Sequence, residues 1–340
     1  MPATHRLLLT SLFCFLLVSC GSSPERDVAQ QPAWINGNSK QYSDRVYVLG
    51  VGEADTLQDA KGRARAEIAK IFQVSIHETS IDSQSFQAES NSKGTSVEQA
   101  SEISRTIRAT SDQVLEGVEL AQSWTDPDTQ RVYALAVLPR AKATLLLRTQ
   151  IAELDRELNA KLVSAQSANS LITKIKAASS AVEIQRQRAV VNKQLMIVSN
   201  SAQGVDSKVS LAKLEADRQA LLARVTIQTS AVGVSRREIR ETLANTLSNA
   251  GFTVVNEGEY RITTTLNSRP LPAQGGWYSH RSVLSVAVMD RQGQRLGGYD
   301  WSYKPSATQR QLADARVTGM ARSHIETELV PRLLELLSER

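Results

Sequence analysis

The chain has 340 residues, of which 41% are hydrophobic, 22% charged and 5% aromatic. This length predicts two or three domains, and the low aromatic content argues against an all-β sandwich or a platform for stacking nucleic-acid bases. The net charge is +5, from 40 basic and 35 acidic residues that are interspersed along the chain, so we expect no nucleic-acid partner.

The chain begins with a pattern typical of a secretory signal. His5 and Arg6 form a short basic start, and the apolar run LLLTSLFCFLLV follows. This run is too short to span a bilayer, which takes about 20 residues. A buried N-terminal helix is the alternative, but the terminal position and the basic flank favour a cleaved signal peptide over residues 1–19.

The end of the apolar run, Leu17-Val18-Ser19-Cys20, resembles the bacterial lipobox. The resemblance implies that Cys20 receives diacylglycerol, becomes the first mature residue and is then N-acylated, for example with palmitate. Two or three acyl chains anchor a protein stably, whereas one is marginal. Gly21 and Ser22 follow without the aspartate that marks inner-membrane retention, which implies the outer membrane and its periplasmic face. Residues 20–32 are polar and proline-containing, as expected of a lipidated tether.

The two cysteines of the chain, Cys14 and Cys20, both lie in this N-terminal region. The rest of the sequence therefore offers no thiol for a disulfide framework, a thiolate metal site or a nucleophile. Lipidation of Cys20 is the one covalent modification that we predict.

Residues 33–140 are predicted to form a first α+β domain. In RVYVLGVGEA, Val46, Val48 and the flanking residues favour a strand, and Gly50 and Gly52 favour a turn. An alanine-rich helix is expected from Leu57 to about Phe72, and VSIHETSI alternates like a strand. VELAQSW and RVYALAVL, joined by Asp126-Pro127-Asp128, indicate a β-hairpin. Residues 80–111 are polar, and two alternatives remain for them, long exposed strands or a mobile loop.

Gly50-Val51-Gly52 follows the first part of this strand and invites comparison with a dinucleotide-binding loop. The third glycine of that fingerprint is missing, because Asp55 stands in its place. We therefore predict a tight turn and no nucleotide cofactor.

Several short motifs of this domain resemble, in order and spacing, the Lpp-twenty family of bacterial envelope lipoproteins over about residues 32–140. They are Pro32-Ala33-Trp34-Ile35, Tyr47-Val48-Leu49-Gly50-Val51-Gly52-Glu53-Ala54, the helix end AEIAK, Trp124, and Val132-Tyr133-Ala134-Leu135-Ala136. The resemblance implies a role in the envelope, where some members are associated with flagellar or outer-membrane assembly. The family has no known catalytic residues to carry over.

Residues 141–224 are predicted to be almost entirely helical. Apolar residues step by three and four along a stretch without Gly or Pro, and a break is expected at Ser199–Lys208. The pattern indicates a coiled-coil-like helical hairpin. It serves either as a spacer that packs on itself or as an arm for homo-oligomerisation.

Residues 225–340 are predicted to form a second small α+β domain, with a strand, a helix from REIRETLANTLSNAGF, two to four strands and a closing helix from about Thr308 to Glu339. The fold class is thus α+β, with two small domains separated by a long helical hairpin and preceded by a signal peptide.

Trp277 and Tyr278 follow the loop RPLPAQGG and are the candidate contact residues for a partner, with core packing as the alternative. We find no hydrolase, metalloprotease or P-loop motif. His77, His280 and His324 are too scattered to predict a metal site.

The sequence therefore predicts a non-enzymatic lipoprotein without cofactor or metal, acting by contact with envelope proteins during envelope, flagellar or secretion assembly. Two alternative functions remain. The protein is either a regulator of an envelope enzyme such as a peptidoglycan synthase, or an envelope hydrolase with an unrecognised site in the C-terminal domain.

Overall fold

A computed structural model describes residues 31–37, 39–87 and 114–338 of the chain. Over these ranges the protein is of mixed α+β class, with six α-helices and two sheets. The predicted signal peptide, Cys20 and the tether up to residue 30 lie outside the described residues. None of the described helices is long and apolar enough to cross a membrane.

The first sheet is antiparallel, with strand order β1-β3-β2. Its strands are β1 (Tyr47–Ala54), β2 (Glu119–Thr125) and β3 (Val132–Pro139), and helix α1 (Leu57–Gln87) packs against one face. Asp126 closes the turn between β2 and β3, because its carboxylate accepts the N–H of Asp128 at 2.9 Å. The predicted hairpin is confirmed.

The strand predicted for VSIHETSI is wrong, because these residues continue α1 as far as Gln87. No Gly or Pro occurs between Arg63 and Gln87 to end the helix. The short period-two alternation of this stretch was weaker than the helical continuation, which the buried Ile68 and Phe72 of the preceding turns support. Of the polar stretch 80–111, residues 80–87 belong to this helix and residues 88–111 lie outside the described residues.

The tight turn predicted at Gly50 and Gly52 is also wrong, because both glycines lie within β1 and face α1. A Cβ atom on Gly50 would lie 2.3 Å from the Ala64 carbonyl oxygen, and one on Gly52 would lie 2.2 Å from the Ala60 carbonyl oxygen. Two glycines on the strand and two alanines on the helix therefore let the backbones approach closely.

The other face of the first sheet is covered by a short 3-10 helix, Ala33–Asn36, that follows the predicted tether. Its Trp34 is 5% exposed and packs in a cluster with Leu135 and Val137 of β3. The central strand β3 is thus covered on both faces, by α1 on one side and by the N-terminal segment on the other, whereas β2 is exposed or half-buried.

Three helices follow the first sheet: α2 (Arg140–Ser167), α3 (Leu171–Val198) and α4 (Leu211–Leu222). α2 packs along α3, and α3 packs on α4. A break occurs at the predicted position after Val198, and a second one at residues 168–170 was not predicted. Asn169 and Ser170 have weak helix propensity, which favours a break here without Gly or Pro. Coiled-coil-like packing of this segment stays a prediction.

The helices contribute side chains to the cores of both flanking domains. Ile151 of α2 and Leu195 of α3 lie in the core formed by α1 and the first sheet. Ile172 and Ile175, at the opposite end of α3, lie in the core of the C-terminal domain. The helical segment therefore packs against both domains along its length.

The second sheet comprises β4 (Thr226–Gly233), β5 (Thr253–Val254), β6 (Tyr260–Pro270), β7 (Tyr278–Asp290), β8 (Arg295–Tyr303) and β9 (Ser306–Ala307). The strand order is β5-β4-β6-β7-β8, with β9 paired to β7. β4 runs parallel to β5 and β6, and the remaining pairs are antiparallel. Helices α5 (Arg236–Ala250) and α6 (Arg310–Ser338) lie in the predicted order, but five strands separate them where two to four were predicted, since β5 and β9 are pairs of residues.

α5 and α6 pack on one face of this sheet, where apolar side chains of the strands are buried. The alternate side chains of β4, β6, β7 and β8 point to the opposite side, which we call the outer face. They are exposed or half-buried, as in Val232, Thr265, Ser285 and Asp300. The helices thus cover one face of the sheet and leave the outer face accessible to solvent.

Candidate functional site

The candidate site is one end of the second sheet, where the predicted contact residues Trp277 and Tyr278 lie. The end of β6, the connection 271–277, the start of β7 and the residues between β8 and α6 meet there, because β7 pairs with β6, β8 and β9. We call this region the sheet end.

Trp277 is held on a defined turn. Its N–H donates to the carbonyl of Gln274 at 3.0 Å, and the N–H of Gln274 donates back to the Trp277 carbonyl at 3.2 Å. Gly275 and Gly276 have φ values of 56° and 77°, in the region that favours glycine. The Trp277 side chain is 50% exposed, so a large aromatic surface is presented on a fixed backbone.

Tyr278 begins β7 beside this turn and is half-buried. The guanidinium of Arg310, at the start of α6, lies 5.5 Å from the centroid of its ring, within the range of a cation–π interaction. The structure thus places both predicted residues at the surface region of the sheet end. Their role as a partner contact stays a prediction.

Cations surround the turn. Arg269 of β6 and Arg281 of β7 are directly opposed partners across the two strands, and both are exposed. Lys304 follows β8, and Arg310 and Arg316 lie in the first turns of α6. None of these five side chains forms an ion pair with a carboxylate in the described ranges. The sheet end is therefore strongly basic.

Ser268, His280 and Asp314 form a hydrogen-bonded chain on the helix side of the sheet end. Ser268 Oγ lies 3.2 Å from His280 Nδ1, and His280 Nε2 lies 2.8 Å from an Asp314 carboxylate oxygen. Ser268 Oγ also contacts Ser282 Oγ at 2.9 Å. Sequence reasoning missed this chain because Asp314 is 34 residues from His280 and only the fold brings them together.

The residue types match a serine-hydrolase triad, but the arrangement does not. In a triad the serine faces Nε2 and the buried aspartate faces Nδ1, whereas here the two nitrogens are exchanged and the Asp314 side chain is 56% exposed. Neither the cleft at the start of α5 nor the cleft beside α2 borders Ser268. This hydrogen-bonded series of side chains therefore fits a structural link between β6, β7 and α6 better than the active site of a hydrolase.

A second polar cluster joins β8 to α6. The Glu328 carboxylate accepts hydrogen bonds from Trp301 Nε1 at 2.8 Å and from Arg332 at 2.9 Å, and lies 2.7 Å from His324 Nδ1. The bond from Trp301, more than those from His324 and Arg332, lowers the pKa of Glu328 below its ordinary value of 4.5. All three partners anchor this carboxylate, so we assign the cluster a structural role.

This lowered pKa predicts a pH-dependent stability. Because the folded protein binds the proton of Glu328 less readily than the unfolded chain, the stabilisation is complete above about pH 4.5 and is lost as the pH falls through the folded pKa. Urea unfolding at a series of acidic pH values gives the free energy of unfolding. This free energy should fall less steeply with decreasing pH for E328Q than for wild type. The control E326Q, on the same helix, should keep the wild-type slope; equal slopes for E328Q and wild type would contradict the assignment.

The described residues contain no group of three side chains suited to a metal ion. His280 and His324 each lie against a carboxylate, as given above, and neither is near a second histidine. Cys20, the predicted lipidation site, lies outside the described residues.

Comparison with known proteins bears on the first domain. The family model described as LPP20 lipoprotein matches residues 32–139. This segment is LPP20-like. The resemblance to the Lpp-twenty family is thereby confirmed, over about a third of the chain, and Gly50, Gly52, Trp34 and Trp124 all lie within the LPP20 segment.

Two solved structures are also similar. A minor lipoprotein from Acinetobacter baumannii is 15% identical, with a TM-score of 0.24, and the match covers 31% of this chain and 92% of that one. The secreted protein HP1454 from Helicobacter pylori is 14% identical, with a TM-score of 0.39, and the match covers 82% of this chain and 97% of that one. No curated protein matches the chain.

Proposed function

We propose that the protein is an envelope lipoprotein, anchored through Cys20 in the outer membrane and facing the periplasm, that acts without catalysis by contact with another envelope protein. The LPP20 match supports the lipoprotein class, and the lipobox-like sequence around Cys20 supports the anchor. The sheet end supports the contact.

The main support for a contact with a partner protein is the half-exposed Trp277 on its hydrogen-bonded turn. Protein interfaces draw most of their energy from a few residues, and Trp, Tyr and Arg are enriched among them. Trp277, Tyr278 and Arg310 bring these three residue types together. Since the turn already fixes the Trp277 backbone, binding need not order it, which favours affinity.

The LPP20 segment and the helices then have a positioning role. The anchor lies at the N-terminus, whereas the sheet end belongs to the last domain of the chain. α3 contributes to the cores of both domains, so the domains are connected by packed side chains. This arrangement supports presentation of the sheet end at a set distance from the anchor.

The test is in-cell photo-crosslinking with a benzoylphenylalanine residue at position 277 of the full-length protein. A discrete adduct is expected in the outer-membrane fraction, and its mass spectrum distinguishes an envelope protein from a second copy of this chain. Position 145 is the matched control, because Leu145 of α2 is apolar and 69% exposed. No adduct at 277, or the same adduct at both positions, would reject the contact.

A further inference from the structure

We propose that the outer face at the sheet end binds a short acidic segment of the partner protein through a row of three cations, Arg269, Arg281 and Lys304. This inference rests on the proposed contact function and specifies the chemistry of the partner.

The strand register aligns the three cations. Arg269 and Arg281 are opposed partners of β6 and β7. Ser282 is opposed to Tyr303, and the His280 N–H donates to the Pro305 carbonyl at 3.0 Å, so the same register places Lys304 beside Arg281. Adjacent strands are separated by about 4.8 Å, so the row is about 10 Å long.

All three cations lie on the outer face. Residues of one strand alternate between the two faces, and Ser282, next to Arg281, is fully buried on the helix side. Arg269, Arg281 and Lys304 are each classed as exposed. The row is therefore open to solvent and is not covered by α5 or α6.

The row lacks compensating charge. The Asp314 carboxylate contacts His280, which lies on the helix side. Asp300 is on the outer face, but it is four residues along β8 from Lys304, roughly 13 Å away. Like charges in directly opposed positions destabilise a sheet, so the free protein bears a cost that a ligand with carboxylates would relieve.

The size and setting of the row favour a protein segment over a lipid surface. Membrane-binding basic segments carry clusters of about 4–8 Lys or Arg. The outer face has a row of three beside uncharged Ser and Thr side chains, since Arg310 and Arg316 belong to α6 on the helix side. Val234, 40% exposed, lies nearer this end of the face, because its N–H donates to the carbonyl of Leu266, three residues before Arg269 on β6. Arginine is enriched at protein interfaces, and two of the three cations of the row are arginines. A row of this length matches two or three carboxylates of an acidic segment.

The test uses the full mature chain in detergent and a fluorescent decapeptide of alternating Glu and Ser as the probe. Wild type should bind this peptide at low ionic strength and release it as salt is added. The variant R269Q/R281Q/K304Q should bind about tenfold more weakly or worse, since each exposed pair contributes up to about 1 kcal/mol. Its melting temperature should equal or exceed that of wild type, because like-charge repulsion is removed.

The matched control, R240Q/R291Q/R295Q, removes the same net charge from exposed cations of the same domain that lie outside the row. It should change peptide affinity by less than about threefold. An equal loss in both variants would show a non-specific charge effect and overturn the proposal. An unchanged affinity in R269Q/R281Q/K304Q, or no peptide binding by wild type, would also overturn it.

Vesicles containing phosphatidylglycerol provide the second probe. Binding to these vesicles through the row, without binding to the peptide, would replace the protein segment with a lipid surface. The crosslink at position 277 separates this proposal from the previous one. A retained crosslink without peptide binding rejects the acidic segment alone, whereas peptide binding without a crosslink rejects the contact at Trp277.

Discussion

G52A is expected to destabilise the first domain by about 3 kcal/mol or more, the upper range for an inserted methyl group in a packed core. The new Cβ would lie 2.2 Å from the Ala60 carbonyl oxygen and 2.3 Å from the Ala64 backbone nitrogen. Backbone atoms cannot move aside by changing a rotamer. Helix α1 would therefore have to shift away from β1 and loosen the contacts of its buried face.

Tryptophan fluorescence can report this effect in the right domain. Trp34 and Trp124 lie in the cluster on the first sheet. In a protein whose Trp277 and Trp301 are replaced by Phe, tryptophan fluorescence therefore reports the unfolding of this domain in urea. G62A is the control, on α1 itself, because a Cβ on Gly62 would meet no atom within 4 Å. G62A should be neutral or stabilising by up to about 1 kcal/mol. Equal midpoints for G52A and wild type would contradict the close packing of α1.

R188A is expected to destabilise the helical segment by about 1.5–3 kcal/mol, the range for hydrogen bonds to a charged group, since the Asp155 side chain is 37% exposed and can be hydrated once Arg188 is removed. The Arg188 side chain is 3% exposed and donates to the Asp155 carboxylate of α2 at 2.6 Å. It also donates to the carbonyls of Val205 and Asp206 at 3.2 and 3.0 Å. One guanidinium thus joins α2, α3 and the connection to α4, and its removal breaks these hydrogen bonds and leaves a gap where its buried side chain packed.

R156A provides the contrast. Arg156 is 77% exposed and lies 3.9 Å from the Glu153 carboxylate, so its loss should cost no more than about 0.5 kcal/mol. R188K should fall between the two, because an ammonium cannot reproduce the fork of a guanidinium. The check is the urea midpoint of each variant, together with proteolysis of residues 199–210, which R188A should accelerate. Similar midpoints for R188A and R156A would show that Arg188 does not hold the segment.

Local patterns were sufficient to predict several elements of the fold. The turn residues around Asp126 identified the β2–β3 hairpin, and Gly251, with a φ of 103°, ends α5 as the sequence indicated. The end of α1 was missed because a polar sequence gives little periodic signal. Gly50 and Gly52 were misread because a glycine pair indicates a turn unless the helix that packs on it is known.

The site was predictable in part. The glycine-rich loop before Trp277 left both an exposed aromatic contact and core packing open, and the structure shows the Trp277 side chain 50% exposed. Arg269 and Arg281 could have been paired from the sequence, because they are equally spaced from Gly275 at the centre of the connection between β6 and β7. Lys304 and Asp314 could not, since their positions depend on how β8 and α6 return to the sheet.

The affinity of the purified partner identified by the position 277 adduct tests the central claim most directly. Titration calorimetry with wild type, W277A and L145A should show a loss of about 30-fold or more for W277A, as expected of an interface anchor worth about 2 kcal/mol. L145A should remain within about twofold of wild type, because exposed apolar residues outside an interface contribute little. Equal affinities for W277A and wild type would contradict the claim that the protein acts through the sheet end.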